Sequence, residues 1–448
     1  MSSLPRTKTC GRVSPARACA LRVVRRVFEQ DAYADRAFAA EAAGLEGRDR
    51  GLAMALSYGT VQRRATLDYV AAALLDRPLR QLEPVVLAVL RLGLFELLYL
   101  GGSARHATVN EGVELVKRAR PHAAGLINAV LRRAAREGPE MLARLDDSTA
   151  ESAALLHSVP GWLASRWWEE LGGETARELL RAINQPAESA LRVSLLAATP
   201  ADVAPALPVP SRPAAGLPEG LVLDGPFDVQ ASELWRTGAV QPQSRASMLV
   251  SRVLAPHAGQ RVLDLCAAPG GKTTHLAALM ENRGEIVAVE RHPGRAAALE
   301  RTVARMRTSC VRVELGDAAA GRGDAPFDRV LVDPPCSGLG TLQSRPDLRW
   351  RARPEAIGEL ASLQARILAA GADALAPQGT LVYSVCTISR AEGQDVVARF
   401  LAEHPDFNAE PWLRDGLGVL GVRSGAGVQL LPHRDGTDGF FIARLRRR

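Results

Sequence analysis

Lysine is almost absent from this chain of 448 residues, and arginine carries nearly all of its positive charge. The three lysines are Lys8, Lys117 and Lys272, and only the last lies inside a glycine-rich segment. Basic residues exceed acidic ones by seven, and the sequence pI is about 9.4. A surplus of this size is compatible with a polyanionic partner but is too modest to prove one.

The chain also lacks the cysteine patterns of metal sites and of disulfide scaffolds. Its six cysteines include no CxxC pair and no cluster with histidine, which argues against a zinc site. So few cysteines in so long a chain suit a protein of a reducing compartment. We therefore expect no bound metal ion and a cytoplasmic location.

No segment is long and apolar enough to predict a membrane anchor. The most apolar run, residues 85–100, contains Arg91 and Glu96 and is short for a membrane span, so we interpret it as a buried helix. The N-terminus is basic but has no apolar core of the kind found in signal peptides. We expect no membrane partner.

Length and composition predict several domains. A hydrophobic content of 47% and a charged content of 23% are typical of soluble globular proteins, and 448 residues exceed one typical core. Residues 1–12 are polar and basic, and we expect them to be disordered. An all-α domain is predicted over 13–145, a small α/β subdomain over 146–238, and an α/β domain over 239–448.

The local pattern changes from one predicted domain to the next. The first shows apolar residues at helical spacing and predicts five to seven helices before residue 136. The second has candidate strands at 191–196 and 221–223, with a proline-rich loop predicted over 200–220.

In the third domain strands alternate with helices, such as 293–305 and 354–374, which predicts a parallel sheet covered on both faces. Its predicted strands are residues 261–265, 285–290, 311–315, 329–332, 380–384 and 439–445.

One segment, residues 261–274, reads RVLDLCAAPGGKTT and predicts a strand, a glycine loop and the start of a helix. Glycine lets the backbone approach a ligand, and a helix N-terminus presents free N–H groups, so this loop holds a phosphate or a nucleoside cofactor. The P-loop pattern GxxxxGK[ST] of ATPases nearly fits. However, Cys266 replaces its leading glycine, and Pro269 removes an N–H from the phosphate cradle.

Two acidic residues at the ends of the next strands favour the nucleoside cofactor S-adenosylmethionine. Glu290 follows the loop by about 20 residues, where an acid binds ribose hydroxyls. Asp317 follows the third strand, where a further acid would receive the adenine amine. A helix cap is the alternative for a lone acid, but two acids at consecutive strand ends favour a cofactor site.

Two cysteines follow the fourth and fifth strands of the predicted sheet. Cys336 and Cys386 are 50 residues apart in sequence, yet the carboxyl ends of neighbouring parallel strands meet at one edge, where ligands bind. We therefore expect both thiols to flank one pocket. The usual alternative for a single cysteine is an inert buried thiol, which we expect of Cys10, Cys19 and Cys310.

Two sets of motifs resemble known families. The segments YGTVQR, LRLG, VNE and NAVLRR, in this order between residues 58 and 133, resemble the NusB-like RNA-binding domain. The motifs AAPGGKT, DPPCSG and SVCT resemble the RNA 5-methylcytosine methyltransferases, in particular their members for bacterial small-subunit ribosomal RNA that carry a NusB-like domain in front. This resemblance implies an all-α NusB-like domain, a small α/β subdomain and a Rossmann-like class I methyltransferase domain.

The resemblance also implies a role for each candidate residue. Cys386 is implied as the nucleophile that adds to carbon 6 of cytosine, and Cys336 as the residue that assists release of the methylated product. Asp333 is implied to contact the cofactor and to hold the flipped base. The remaining implied contacts to S-adenosylmethionine are Cys266, Ala267, Ala268, Pro269, Gly270, Gly271, Lys272, Glu290 and Asp317.

The chemistry of cytosine agrees with these roles. Carbon 5 is a poor nucleophile, and addition of a thiolate at carbon 6 makes it able to attack a methylsulfonium. The target base must leave its stack to reach such a pocket. Three positions depart from the family pattern: Thr387 follows the nucleophile where serine is frequent, Gly393 stands where asparagine is usual, and Pro242 stands after a glutamine where aspartate is common.

The segment after Cys336 combines arginines with an aromatic residue: Arg345, Arg349, Trp350, Arg351 and Arg353. This composition suits contact with phosphates and bases, so we expect the segment to touch RNA.

We predict an S-adenosylmethionine-dependent RNA cytosine-5 methyltransferase whose partner is 16S ribosomal RNA. We expect no DNA partner and a monomeric protein. The alternatives are a P-loop ATPase and a non-catalytic RNA-binding protein with a methyltransferase-like fold.

Overall fold

The chain forms two compact units. The computed structural model describes residues 13–102, 104–321, 323, 326–412 and 420–448, so the predicted disordered tail lies outside the described residues. The first unit comprises Met1–Asn184 and Ser344–Arg351, and the second comprises Gln185–Gln343 and Ala352–Arg448.

Ten helices account for most of the described part of the first unit, and apolar residues at helical spacing form its core. The first helix begins with Pro15 after Ser14, whose hydroxyl accepts a hydrogen bond from Arg17 N at 3.2 Å. Glu96 is buried, bonded to Arg17 and to Thr108 Oγ1. The helices are α1 (Pro15–Glu29), α2 (Ala34–Glu41), α3 (Gly47–Gln62), α4 (Arg64–Leu74), α5 (Pro84–Phe95), α6 (Arg105–Ala119), α7 (Ala124–Ala143), α8 (Ala150–His157), α9 (Gly161–Leu171) and α10 (Gly173–Ala182).

A small antiparallel sheet begins the second unit. Its elements are β1 (Ala190–Val193), α11 (Pro200–Val203), β2 (Ser211–Pro213), β3 (Gly220–Leu223), α12 (Glu233–Arg236) and β4 (Val240–Pro242), and the strand order is β2-β3-β1-β4. The two predicted strands correspond to β1 and β3. The prediction of loop throughout 200–220 was wrong, because Pro200 stands in the first turn of a helix and Pro213 on an edge strand, where proline is tolerated.

The main sheet of the second unit has nine strands in the described part of the chain. Its helices and strands are α13 (Arg245–Leu254), β5 (Arg261–Asp264), α14 (Gly271–Leu279), β6 (Glu285–Glu290), α15 (Pro293–Arg305), β7 (Val311–Leu315), β8 (Phe327–Val332), α16 (Leu348–Arg351), α17 (Pro354–Asp373), β9 (Leu375–Val385), α18 (Gln394–Glu403), β10 (Phe407–Ala409), β11 (Val422–Ser424), β12 (Gly427–Leu430), α19 (Pro432–Asp435) and β13 (Phe440–Arg447). Only α16 among them belongs to the first unit.

Five neighbouring strands of the main sheet run parallel in the order β9-β8-β5-β6-β7, and β13 pairs antiparallel with β9. The chain passes from β5 to β6 and β7 on one side and then returns to β8 and β9 on the other. The order therefore reverses between β5 and β8, and the carboxyl edge beside such a reversal is where α/β sheets bind ligands.

All six predicted strands of this sheet are confirmed, and β6 and β7 have the predicted bounds. The short strands β10, β11 and β12 were not predicted. Apolar clusters cover both faces of the sheet, one formed with α17 and α18 and the other with α13 and α14. Across the described residues, no helix combines the length and apolar character that crossing a membrane requires.

Candidate functional site

The glycine loop between β5 and α14 has the backbone of a ligand-binding loop. Its polypeptide turns at Gly270, which has a φ of 102° and whose added Cβ would lie 2.8 Å from Leu299 Cδ1. Only glycine fits there without strain. A hydrogen bond of 3.0 Å from Ala267 N to Val289 O holds the loop to the sheet. Helix α14 begins at Gly271, and the N–H groups of its first turn have no partner among the carbonyl groups of the helix.

The two acids predicted to bind the ribose and the adenine lie at the carboxyl ends of β6 and β7, on the same edge of the sheet, with Glu290 as the last residue of β6 and Asp317 two residues beyond β7. Glu290 is buried, its Oε1 accepts a hydrogen bond from His292 N at 2.9 Å, and its Oε2 lies 3.4 Å from the guanidinium of Arg295. Arg295 also donates to Ala268 O at 2.9 Å, which ties the glycine loop to this acid. Asp317 is exposed, and its Oδ1 accepts from Ala319 N at 3.0 Å.

Lys272, the lysine of the glycine loop, forms an ion pair at the end of β8. Its Nζ lies 2.6 Å from Asp333 Oδ2, and the other oxygen of that carboxylate accepts from Ser384 Oγ at 2.7 Å. Burial opposes the charge on Lys272, but the nearby acidic groups, above all Asp333, outweigh it and raise the pKa of this amine. The pair therefore joins the glycine loop to the ends of β8 and β9.

The two predicted reactive cysteines meet beside this ion pair. Cys336 lies four residues beyond β8 and Cys386 directly follows β9, and their Sγ atoms are 3.3 Å apart. The loop after Cys336 is held by a bond from Gly340 N to Cys386 O of 3.1 Å. A Cβ at Gly340 would lie 1.9 Å from Gly439 O, so this backbone approach requires glycine.

The thiols of the described cysteines differ in environment. The hydrogen bond that its thiol makes to Cys386, burial, and the charges of Cys386 and Glu392 all raise the pKa of Cys336, which favours its neutral thiol. Burial likewise raises the pKa of Cys266 in the glycine loop. Cys19 and Cys310 have pKa values raised chiefly by burial, as expected of inert thiols. Cys10 lies outside the described residues.

Two buried acids near the site were not predicted as functional. Asp264, at the end of β5, accepts a hydrogen bond from Thr273 Oγ1 at 2.7 Å, and burial raises its pKa to about 7. Glu392, in the turn before α18, contacts both cysteine-bearing loops. Asp264 interrupts an apolar strand, which was a usable signal, whereas no spacing in the sequence connects Glu392 to residues 336 and 337.

The predicted RNA-contacting segment is only partly available to a ligand. Arg349 is fully buried in the first unit and donates to carbonyl oxygens that include those of Gln62 and Ser158. Trp350 Nε1 donates to Val61 O at 2.7 Å. The expectation of RNA contact was therefore wrong for Arg349 and for the indole N–H of Trp350, because both are occupied by the protein.

Three family models match the chain. The description "NusB family" matches residues 14–136, "Methyltr_RsmF/B-like, ferredoxin-like domain" matches 159–230, and "16S rRNA methyltransferase RsmB/F" matches 251–446. The three matches follow one another in the order of the all-α region, the antiparallel sheet and the main sheet.

Similar proteins cover nearly the whole chain. The chain is 33% identical to the "Probable ribosomal RNA small subunit methyltransferase B" of Bacillus subtilis, over 90% of this chain and 92% of the relative. It is 38% identical to the "Ribosomal RNA small subunit methyltransferase B" of Thermus thermophilus, over 89% of each. The crystal structure of PH0851 matches with a TM-score of 0.83 and 26% identity, over 98% of this chain and 100% of that one.

Proposed function

Because the chain belongs to the 16S rRNA methyltransferase RsmB/F family, we propose that it methylates carbon 5 of a cytosine in small-subunit ribosomal RNA through a covalent adduct with Cys386. The observation that carries this proposal is the 3.3 Å separation of the Cys336 and Cys386 Sγ atoms beside the Lys272–Asp333 pair. Two thiols and a partly buried ion pair at the carboxyl edge of a parallel sheet suit nucleophilic catalysis on a base.

The residues of the glycine loop fit S-adenosylmethionine. Gly270 brings the backbone close to the ligand side of the loop, and the N-terminus of α14 offers N–H donors. Glu290 is the candidate for the ribose hydroxyls and Asp317 for the adenine amine, with residues 266–272 along the rest of the cofactor. When bound, S-adenosylmethionine supplies an electrophilic methyl group.

Cys386 is the proposed nucleophile. Its thiolate forms a bond to carbon 6 of cytosine, and the electron pair of the carbon 5–carbon 6 double bond becomes available at carbon 5. The cation of Lys272 is part of the same cluster and favours an anion there. Asp333 accepts hydrogen bonds from Lys272 and Ser384, which fix its carboxylate, and it is the proposed group for the edge of the base.

Cys336 is the proposed partner for product release. After methylation carbon 5 carries both its original proton and the new methyl group. Removal of that proton restores the double bond as the bond between carbon 6 and the Cys386 sulfur breaks. The neutral thiol of Cys336, 3.3 Å away, donates its proton to the departing Cys386 sulfur, and the Cys336 thiolate formed in this way accepts the proton from carbon 5, so that both cysteines end the step as thiols.

The two alternatives are less well supported. In a P-loop ATPase the loop lysine binds phosphate, whereas Lys272 Nζ is engaged by Asp333 and Pro269 lacks an N–H. Tight ATP binding without binding of S-adenosylmethionine would favour that alternative. A non-catalytic RNA-binding protein has no use for two adjacent thiols beside an ion pair, and absence of methyl transfer by the purified protein would favour it.

The proposal is tested with 16S rRNA isolated from a strain that lacks the gene. We expect Cys386→Ala to abolish methyl transfer and Cys336→Ala to accumulate an RNA–protein adduct that survives a denaturing gel. Cys310→Ala, which removes a half-buried thiol outside the site, is the matched control and should behave as the parent. Bisulfite sequencing then identifies the methylated cytosine.

An adduct in Cys336→Ala that persists when Cys386 is also replaced would contradict the assignment of the nucleophile. Methylation of a nucleotide other than cytosine, or at another atom of the base, would overturn the proposed reaction.

A further inference from the structure

A single buried carboxylate contacts the residues that adjoin both cysteines. Glu392 has no exposed surface and lies in a short turn between β9 and α18. Its Oε1 accepts hydrogen bonds from Ser337 N at 2.8 Å and from Gln364 Nε2 at 3.1 Å. Ser337 directly follows Cys336, so this oxygen fixes the backbone of the first cysteine loop.

The second oxygen of the same carboxylate reaches both loops. Glu392 Oε2 accepts from Ser337 Oγ at 2.6 Å and from Thr387 Oγ1 at 3.3 Å. The two hydroxyl oxygens are themselves 2.8 Å apart. Thr387 directly follows Cys386, so one carboxylate and two hydroxyls connect the neighbours of the two thiols.

The turn that carries Glu392 is itself held by side chains of β9 and α17. Tyr383 Oη, buried in β9, donates to Glu392 O at 2.6 Å, and Gln364 Nε2 of α17 also donates to Pro335 O at 2.9 Å. A Cβ at Gly393 would lie 2.9 Å from Phe441 Cγ, so the turn packs directly on β13. The turn that carries Glu392 is thus held by groups on β9, α17 and β13.

We propose that Glu392 is a positioning residue that holds the Cys336 and Cys386 loops together and so sets the separation of their thiols. This inference rests on the proposed function for its catalytic consequence, but not for its geometry. An ionised carboxylate only accepts hydrogen bonds, and here four donors from three residues converge on its two oxygens. The carboxylate links the two loops more firmly than a direct hydrogen bond between the two hydroxyls, because a hydrogen bond to a charged group is stronger than one between neutral groups.

The geometric test uses Glu392→Gln without RNA or cofactor. Dibromobimane, a short bifunctional thiol reagent, should join Cys336 to Cys386 in the parent protein, as read by mass spectrometry of the peptides. We expect the rate of this cross-linking to fall by about tenfold in Glu392→Gln, because an amide cannot accept from all four donors. Glu96→Gln is the matched control, since it changes a buried carboxylate of the first unit.

Two substitutions of Thr387 distinguish a loss of loop positioning from a general loss of stability. Thr387→Ser keeps the hydroxyl and should cross-link as fast as the parent, whereas Thr387→Ala should resemble Glu392→Gln. An unchanged cross-linking rate in a folded Glu392→Gln protein overturns the proposal. So does an equal loss in Glu96→Gln, because the effect would then follow stability alone.

The catalytic test measures the steady-state kinetics of methyl transfer to 16S rRNA. We expect kcat of Glu392→Gln to fall by about 10²-fold, the cost of a displacement near 1 Å, while KM for S-adenosylmethionine stays within about twofold of the parent. Unchanged kcat overturns the catalytic consequence. If the parent itself fails to methylate but the cross-linking differences persist, the proposed function fails and the positioning role stands.

Discussion

Asp264 lies at the end of β5 with almost no exposure to solvent, close to the Lys272–Asp333 pair. Burial and the charge of Asp333 favour its protonated form, while the hydroxyl of Thr273 and the charge of Lys272 favour the carboxylate. The balance raises its pKa from the ordinary 3.8 to about 7. This side chain therefore changes charge in the pH range in which the site is expected to work.

The raised pKa predicts a pH-dependent stability that Asp264→Asn removes. Folding favours the protonated acid, so the contribution of Asp264 to stability is fully present below pH 3.8 and is lost as the pH rises through about 7. Between pH 5 and pH 8 the parent should therefore lose roughly 2–4 kcal/mol relative to the variant. Thermal unfolding of both proteins across this range measures the difference, and parallel curves would contradict the prediction.

At the scale of elements, the segment that contains α16 behaves unlike an exposed loop. The guanidinium of Arg349 donates to five oxygens within the first unit. Its Nη2 lies 3.2 Å from Ile183 O, and its Nη1 lies 3.0 Å from Asn184 Oδ1. Trp350 packs against a core cluster formed by α1, α2 and α3. These bonds satisfy carbonyl groups at the ends of helices, where helices leave them without intrahelical partners.

Replacement of Arg349 should therefore destabilise the first unit. Arg349→Ala removes hydrogen bonds to five oxygens at once, although Ile183 O and His157 O each keep a second donor, and we expect a loss of roughly 3–5 kcal/mol. Arg353→Ala, two residues beyond α16 and exposed, is the matched control and should change stability by less than about 0.5 kcal/mol. Differential scanning calorimetry compares the variants, and equal unfolding midpoints for the two would contradict the assigned role.

The contrast between the strands and this segment shows what the sequence could predict. The parallel strands are short apolar runs bounded by turn residues, so their local pattern alone located them. An arginine in a loop has the same local pattern whether it contacts RNA or a set of carbonyl groups. Only the folded positions of Gln62, His157 and Ile183 distinguish the two cases for Arg349.

At the scale of the whole molecule, the fold class is confirmed as a NusB domain, a ferredoxin-like subdomain and a methyltransferase domain. The candidate site was largely predictable because parallel strands bring their carboxyl ends together, which placed Cys336, Cys386 and Asp333 at one edge. Glu392 was not predictable, since it reaches Ser337 across 55 residues through side-chain contacts that no periodicity encodes.

Because the first unit includes Ser344–Arg351, an isolated fragment that ends at residue 184 should be less stable than the whole unit. Residues 1–184 alone lack Arg349 and Trp350, so we expect them to unfold at a lower temperature than the same unit in the full chain. A synthetic peptide spanning residues 342–353 should raise that temperature as its concentration rises, because it binds only the folded state. A peptide with Arg349→Ala should stabilise less. A fragment indifferent to both peptides would contradict the prediction.

The first unit is made of two segments that are far apart in sequence, and this affects the order in which it can fold during synthesis. Domains at the start of a chain ordinarily fold while later residues are still being added. Here the first unit includes Ser344–Arg351, with most of the second unit's parallel strands encoded before that segment. The first unit can begin to fold on the ribosome, but it acquires its last core residues only after much of the catalytic sheet has been made. Maturation of the two units is thereby coupled in time.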